Sequence, residues 1–246
     1  MAKKISVIGI GPGSREMMTI EAAEALEHCT VIVGYHVYVD LVKDQYPDKR
    51  VLTTPMKKET ERCEMALQEA DKGEDVAFVC SGDSGVYGMA GLVYEVAKNY
   101  PEVEIDVIPG ITAACSGAAV LGAPLIHDFC LISLSDLLTP WEKIEKRLRA
   151  AAEGDFSIVL YNPASMKRAD YLQKACDILM EKLPKTIVCG TVRNIGREGE
   201  EAKVMTLGEL RDTKVDMFTT VFIGNSATKE WNGKMLTPRG YGVETS

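Results

Sequence analysis

The run VCSGDSGVYG, residues 79–88, carries an apolar strand-like stretch (Asp75 to Cys80) into a turn of small residues with one acid, and a helix-like stretch opens at Tyr87. Gly82, Gly85 and Gly88 have no side chain to keep a ligand from the backbone amides of this turn. The fixed carboxylate of Asp83 suits a cation or a ribose diol. A lone G-D-S-G is also at home in an ordinary strand-to-helix turn, so its meaning depends on what the chain places beside it.

Outward from this junction, short apolar runs alternate with amphipathic stretches. Ile5 to Ile10 precedes Thr19 to His28, Val31 to Val33 precedes Val37 to Tyr46, Val76 to Cys80 precedes Tyr87 to Asn99, and Ile105 to Ile108 precedes Thr112 to Leu121. This βα alternation predicts an α/β fold with a mostly parallel N-terminal sheet and helices on its faces. Thr19 reads as a helix cap, and Glu21 and Glu24 suit the positive end of that helix. After Gly122-Ala-Pro124 the pattern restarts with Phe129 to Leu134, Trp141 to Ala152, Phe156 to Tyr161, Ser165 to Leu183, Thr186 to Val192, Lys203 to Leu207 and Thr219 to Ile223. The later runs lie close together between glycines and charges, which predicts antiparallel pairing and a mixed C-terminal sheet. Domains are therefore expected at 1–122 and 123–246, with a ligand cleft between them. The segment after Trp231 reads as a poorly ordered tail.

At 246 residues the chain supports one large or two small cores. No apolar run approaches the roughly 18 residues of a membrane span, and MAKKISVIGIG reads as a first buried strand rather than a secretion signal. A net charge of −8 argues against a nucleic-acid partner. Cysteines 29, 63, 80, 115, 130, 176 and 189 form no C-x-x-C pair. They read as buried reduced thiols of a cytoplasmic protein, with no metal site expected.

Two further turns follow strands. Gly9-Ile-Gly11-Pro-Gly13 invites a dinucleotide reading but fits it poorly: Pro12 has no amide for pyrophosphate, and Val33 runs into Gly34 and Tyr35 where a ribose-binding acid would stand. Pro109-Gly110-Ile111-Thr112-Ala113-Ala114 likewise opens a helix. Three such turns after parallel strands converge on one carboxyl edge, where these sheets bind ligands.

The motifs G-I-G-P-G at 9–13, S-G-D-S-G-V-Y-G at 81–88, P-G-I-T-A-A at 109–114 and L-Y-N-P at 160–163 resemble, in order and spacing, the tetrapyrrole methyltransferases that use S-adenosylmethionine. Within them, the stretch from Pro109 through GAPLIHDFC (122–130) to SLSDLLTPW (133–141) resembles the precorrin-3B C(17)-methyltransferases of cobalamin synthesis. The resemblance implies a two-domain homodimer with S-adenosylmethionine in the cleft. It places Pro12 beside the cofactor, the Gly82-Asp83-Ser84 turn with Val86 and Tyr87 around it, and Thr112 and Ala113 along it. Tyr161, Asn162, Val192 and Thr220 are implied on the adenine side. Many members carry G-D-P where this chain has Gly82-Asp83-Ser84.

Methyl transfer from a sulfonium needs alignment and exclusion of water more than a strong acid at sulfur. The implied ring contraction does need proton handling. His127 with Asp128 is the first candidate pair, and Ser135 with Asp136 the second. His28 and His36 read as helix-end or surface residues. The acetate and propionate groups of a tetrapyrrole call for local cations: Lys57, Lys58 and Arg62 on a polar segment, or Arg193 and Arg197 in a later loop. Lys143, Lys146, Arg147 and Arg149 read as one solvated helix face. The resemblance leaves open metal-free precorrin-3B or cobalt-factor III as substrate. Rival readings are the same fold on a diphthamide intermediate or a ribosomal RNA ribose, a non-catalytic cofactor-binding module, and an NAD oxidoreductase.

Overall fold

The computed structural model describes residues 3–165 and 168–241. They form two compact units that divide between Ala113 and Ala114. The first holds β1 (Lys4–Gly9), α1 (Ile20–His28), β2 (Val31–Tyr35), α2 (His36–Val39), β3 (Arg50–Thr54), α3 (Glu59–Asp71), β4 (Asp75–Cys80), α4 (Ala90–Val96) and β5 (Glu104–Ile108). The five strands are all parallel, in the order β3-β2-β4-β1-β5. Residues of alternating parity bury on opposite faces. Ile5, Val7, Val31, Val33, Val76 and Phe78 pack with Cys63, Ala66, Leu67 and Ala70 of α3, whereas Ile8, Ile32, Ala77 and Val79 pack with Ala22 and Leu26 of α1. Thr19 caps α1, accepting the Ala22 N–H at 3.1 Å.

Two elements of this unit lie outside the sequence reading. β3 is short and mostly exposed, and α3 buries mainly small residues within a charged segment. The helix expected over 37–46 is α2 followed by a 3-10 turn at Lys43–Gln45. The helix after β4 begins at Ala90 because Tyr87 is left-handed (φ 54°) and the Ala90 N–H bonds back to the Ser84 carbonyl.

The second unit takes in all but the first residue of α5 (Ala113–Leu121), then β6 (Gly122–Ala123), β7 (Phe129–Ser133), α6 (Trp141–Glu153), β8 (Ser157–Tyr161), α7 (Tyr171–Leu179), β9 (Val188–Arg193), β10 (Glu201–Thr206), α8 (Leu207–Arg211), β11 (Thr219–Ile223), β12 (Lys229–Trp231) and β13 (Lys234–Leu236). The division falls one residue into α5, between Ala113 and Ala114, whereas the sequence reading put it at 122/123. Packing explains the placement: a Cβ on Gly117 would lie 2.7 Å from the Phe222 ring, and Leu121 sits against Gly190. The main sheet runs β10-β9-β11-β8-β7. β7 and β8 are parallel and the other pairs antiparallel, the mixed sheet expected.

α6 turns Ile144, Leu148, Ala151 and Ala152 inward, and Lys143, Lys146, Arg147 and Arg149 face solvent as read from sequence. The long helix expected over 165–183 narrows to α7; residues 166–167 lie outside the described residues. The segment after Trp231 is not a loose tail. Its strand β13 pairs with β12 and with β6, burying Met235 completely, while residues 242–246 lie outside the described residues. Nor are all the thiols buried, because Cys115 is exposed and Cys130 half-buried. Among the described residues, no helix is long and apolar enough to cross a membrane, and no group of three His, Cys, Asp or Glu side chains is placed to hold a metal ion.

Candidate functional site

Because β4, β1 and β5 are neighbours, their carboxyl-end loops touch. Gly11 and Gly82 exchange backbone hydrogen bonds of 3.0 and 2.7 Å. A Cβ on Gly110 would fall 2.2 Å from the Gly82 carbonyl oxygen and 2.5 Å from that of Gly9. These glycines are thus required first by backbone packing between loops. Gly85 differs: it is exposed, and a Cβ there would meet only the Asp83 carboxylate.

Asp83 joins this edge together. Its Oδ1 accepts the N–H groups of Gly85 (2.8 Å) and Val86 (3.0 Å), and its Oδ2 accepts that of Gly110 (3.0 Å) across the gap between loops. The carboxylate expected to face a ribose or a cation is engaged by three amides. Ser84 is fully buried and donates to the Ile108 carbonyl. Thr112 and Ala113 run past Gly82, whose Cβ position is 3.7 Å from the Thr112 Cα and the Ala113 N. Thr19 Oγ1 donates to the Pro109 carbonyl, fastening α1 to the β5 loop. Pro12 is buried next to Gly11, Val86 is half-buried and Tyr87 exposed. The first unit therefore gathers Pro12, Gly82, Asp83, Ser84, Val86, Tyr87, Thr112 and Ala113 along one edge of its sheet.

In the second unit, Tyr161 ends β8 and its hydroxyl accepts the Ala114 N–H at 2.9 Å. Asn162, left-handed at φ 53°, donates to Ser133 Oγ at 3.0 Å. Val192 and Thr220 are cross-strand partners of β9 and β11, both buried. Beyond the carboxyl ends of β7 and β8 lies a polar cluster. Arg168 donates to Ser135 Oγ (2.9 Å), Asp136 Oδ1 (3.3 Å) and Ser165 Oγ (3.1 Å), and the Tyr171 hydroxyl donates to Asp136 Oδ2 (2.6 Å). That bond to the carboxylate holds Tyr171 above the ordinary tyrosine range, with desolvation adding to it. Arg168 and Tyr171 were not picked out from sequence; they stand more than thirty positions from Asp136, and only the parallel pairing of β7 with β8 brings them to it.

His127 and Asp128 do not join this cluster. They precede β7, where the Ser157 N–H bonds to the Asp128 carbonyl, whereas Ser135 and Asp136 follow β7. At about 3.3 Å per residue the strand sets the two pairs on the order of 20 Å apart. The His127 Nε2 is buried without a hydrogen-bond partner, and the adjacent Pro124 and Ile126 carbonyls are held by Ser157, Thr237 and Arg239.

The basic candidates also separate. Lys57 and Lys58 are exposed, and Lys58 pairs with Glu61. Arg193 is engaged by Asp216 at 2.7 Å. Arg62 is 4 % exposed, stacks over the Tyr35 ring and donates to the Pro55 carbonyl.

A parallel sheet with three interlocked loops at its carboxyl edge, followed by a mixed-sheet unit, defines an α/β protein built to bind a small polar molecule at strand ends. Residues 4–211 match the family of Tetrapyrrole (Corrin/Porphyrin) Methylases, and the chain belongs to that family. It is similar to a probable cobalt-factor III C(17)-methyltransferase of Salmonella typhimurium, 51 % identical over 96 % of this chain and 99 % of the relative. It is also similar to a precorrin-3B C(17)-methyltransferase of a Sinorhizobium species, 41 % identical over 98 % of each chain. Among solved structures, the methyltransferase CobJ matches with a TM-score of 0.88 and 38 % identity, over 95 % of this chain and 99 % of that one. The chain is accordingly a methyltransferase of the tetrapyrrole methylase family.

Proposed function

We propose that this enzyme methylates carbon 17 of precorrin-3B or cobalt-factor III in cobalamin biosynthesis, coupled to ring contraction, with S-adenosylmethionine as donor. The observation that carries the reading is the three-loop edge tied by Asp83 in a chain of this family. The edge fits the donor chemically. It sets glycines and small side chains around the negative charge of a half-buried carboxylate, which suits a compact cation.

When bound, the donor supplies a methyl group on a positively charged sulfur. The chain's own residues do the rest. Gly82, Asp83 and Ser84 fix the β4 loop against those of β1 and β5, so the binding surface is formed before the ligand arrives. Pro12, Val86, Tyr87, Thr112 and Ala113 complete the proposed cofactor contacts of the first unit, and Tyr161, Asn162, Val192 and Thr220 are the contacts proposed from the second. For proton handling the polar cluster supports Asp136 and Ser135, with the Tyr171 hydroxyl donating a hydrogen bond to Asp136 Oδ2. His127 and Asp128 stand at the opposite strand ends and have less support in that role. A homodimer in the cytoplasm is part of the same proposal.

The test is incubation of the purified protein with S-adenosylmethionine and each macrocycle in turn. A mass gain of one methyl with a spectral change on contraction supports the reading, and no methylation of either macrocycle overturns it. Methylation without the spectral change removes ring contraction alone.

A further inference from the structure

Residues 31, 33 and 35 of β2, 52 and 54 of β3, and 76, 78 and 80 of β4 share the sheet face covered by α3. α3 returns antiparallel to the strands, so its first turn stands over their carboxyl ends. Arg62 sits in that turn. Its guanidinium lies 5.6 Å from the centre of the Tyr35 ring, and Tyr35 is the register partner of Thr54.

Arg62 is 4 % exposed, yet among the described residues no carboxylate lies within ion-pair distance of it. The nearby acids are otherwise engaged: Glu61 pairs with Lys58, and Glu59 accepts the Lys57 N–H. One guanidinium nitrogen donates to the Pro55 carbonyl at 3.1 Å, while the buried Nε has no acceptor. Thr54 Oγ1, on a residue 3 % exposed, is likewise buried without a partner. An uncompensated buried cation costs several kcal/mol, roughly, and an orphaned buried hydroxyl adds to it. Two such groups at the same strand ends, one of them cationic, form a donor set matched to a carboxylate.

Resting on the function proposed above, we propose that Arg62, with Thr54 as second donor and Tyr35 as the stacking floor, forms a carboxylate-binding subsite. Its ligand is a carboxylate of the reactants, either the amino-acid carboxylate of the cofactor or an acetate or propionate arm of the macrocycle. A planar guanidinium on an aromatic face presents paired N–H groups to both carboxylate oxygens, which a lysine does not reproduce.

The experiment compares the wild type with Arg62→Met, Arg62→Lys and Thr54→Val in two binding arms. One arm titrates S-adenosylhomocysteine and its decarboxylated analogue by calorimetry. The other titrates uroporphyrin and its octamethyl ester by absorbance. The subsite predicts that Arg62→Met weakens the carboxylate ligand of one arm by roughly ten- to a hundredfold and leaves the counterpart without a carboxylate within twofold. The arm that responds names the source. Arg62→Lys and Thr54→Val give smaller losses in the same arm, and they carry the test if Arg62→Met does not fold. Equal losses for ligands with and without the carboxylate, or none, would mean a purely structural Arg62 and overturn the inference. Failure of the wild type to bind S-adenosylhomocysteine would overturn the proposed function, and the subsite with it.

Discussion

Asp83→Asn removes one contact and leaves the rest of the edge nearly unchanged. The amide oxygen still accepts from Gly85 and Val86, but an NH2 group now faces the Gly110 N–H, which Oδ2 accepts at 3.0 Å. Two donors meet across the gap between the β4 and β5 loops. Hydrogen bonds to charged groups contribute about 1.5–3 kcal/mol each. Gly85 is exposed and its amide regains water, so most of the loss comes from the half-buried Gly110 bond. Asp83→Asn should lose about 2 kcal/mol and Asp83→Ala about 2–3 kcal/mol, lowering Tm by roughly 4–12 °C. Loops no longer fastened must be ordered by the ligand, so Kd for S-adenosylhomocysteine should rise about tenfold or more in both variants. Calorimetric titration reads the affinity, and hydrogen exchange at the Gly110 amide reads the tie itself. Unchanged affinity in both variants, with the Gly110 amide still protected, would refute the view that Asp83 acts by joining the loops.

Gly110→Ala should cost about 3 kcal/mol or prevent folding, because the new Cβ would meet two backbone carbonyls that cannot swing away; chemical unfolding checks it. Asp136→Asn should slow turnover by about a hundredfold with little change in cofactor affinity, whereas His127→Ala should leave turnover within about twofold; steady-state kinetics on both variants decide between the two pairs. The Tyr171 hydroxyl, raised by its bond to Asp136, stabilises the fold fully below the ordinary tyrosine range and stops doing so as pH rises through its folded value. Wild type should therefore exceed Tyr171→Phe in stability at neutral pH and lose that margin above about pH 10, read by denaturant titration across pH.

Strand-to-turn junctions at Gly9, Gly82 and Gly110 were legible because each apolar run ends in glycine, and a parallel sheet then brings the turns to one edge. The role of the glycines was only half legible: sequence suggests room for a ligand, whereas the contacts among Gly9, Gly82 and Gly110 show that loop packing already demands them. α3 is hard to read because Cys63, Ala66 and Ala70 are small and Leu67 is a lone large apolar residue among charges, so much of the burial there comes from close approach to the sheet. β13 was hidden for a related reason: a three-residue strand with one buried side chain, Met235, carries no period to read. Arg62 looked like a surface cation beside Lys58. Its burial follows from helical phase, which sets it on the face of α3 that carries Ala66 and Ala70, whereas Lys58 precedes the helix as its N-cap and pairs with Glu61 in solvent. His127 attracted attention as a scarce histidine in a family-like stretch, but which end of β7 it occupies is a tertiary fact.

The most direct measurement is transfer of a 13C-labelled methyl group from S-adenosylmethionine to cobalt-factor III or precorrin-3B by the purified enzyme, followed by mass spectrometry and carbon NMR of the product. The account predicts one labelled methyl on carbon 17 in a contracted macrocycle. A labelled methyl at another ring carbon, or none on either macrocycle while S-adenosylhomocysteine still binds, would contradict it.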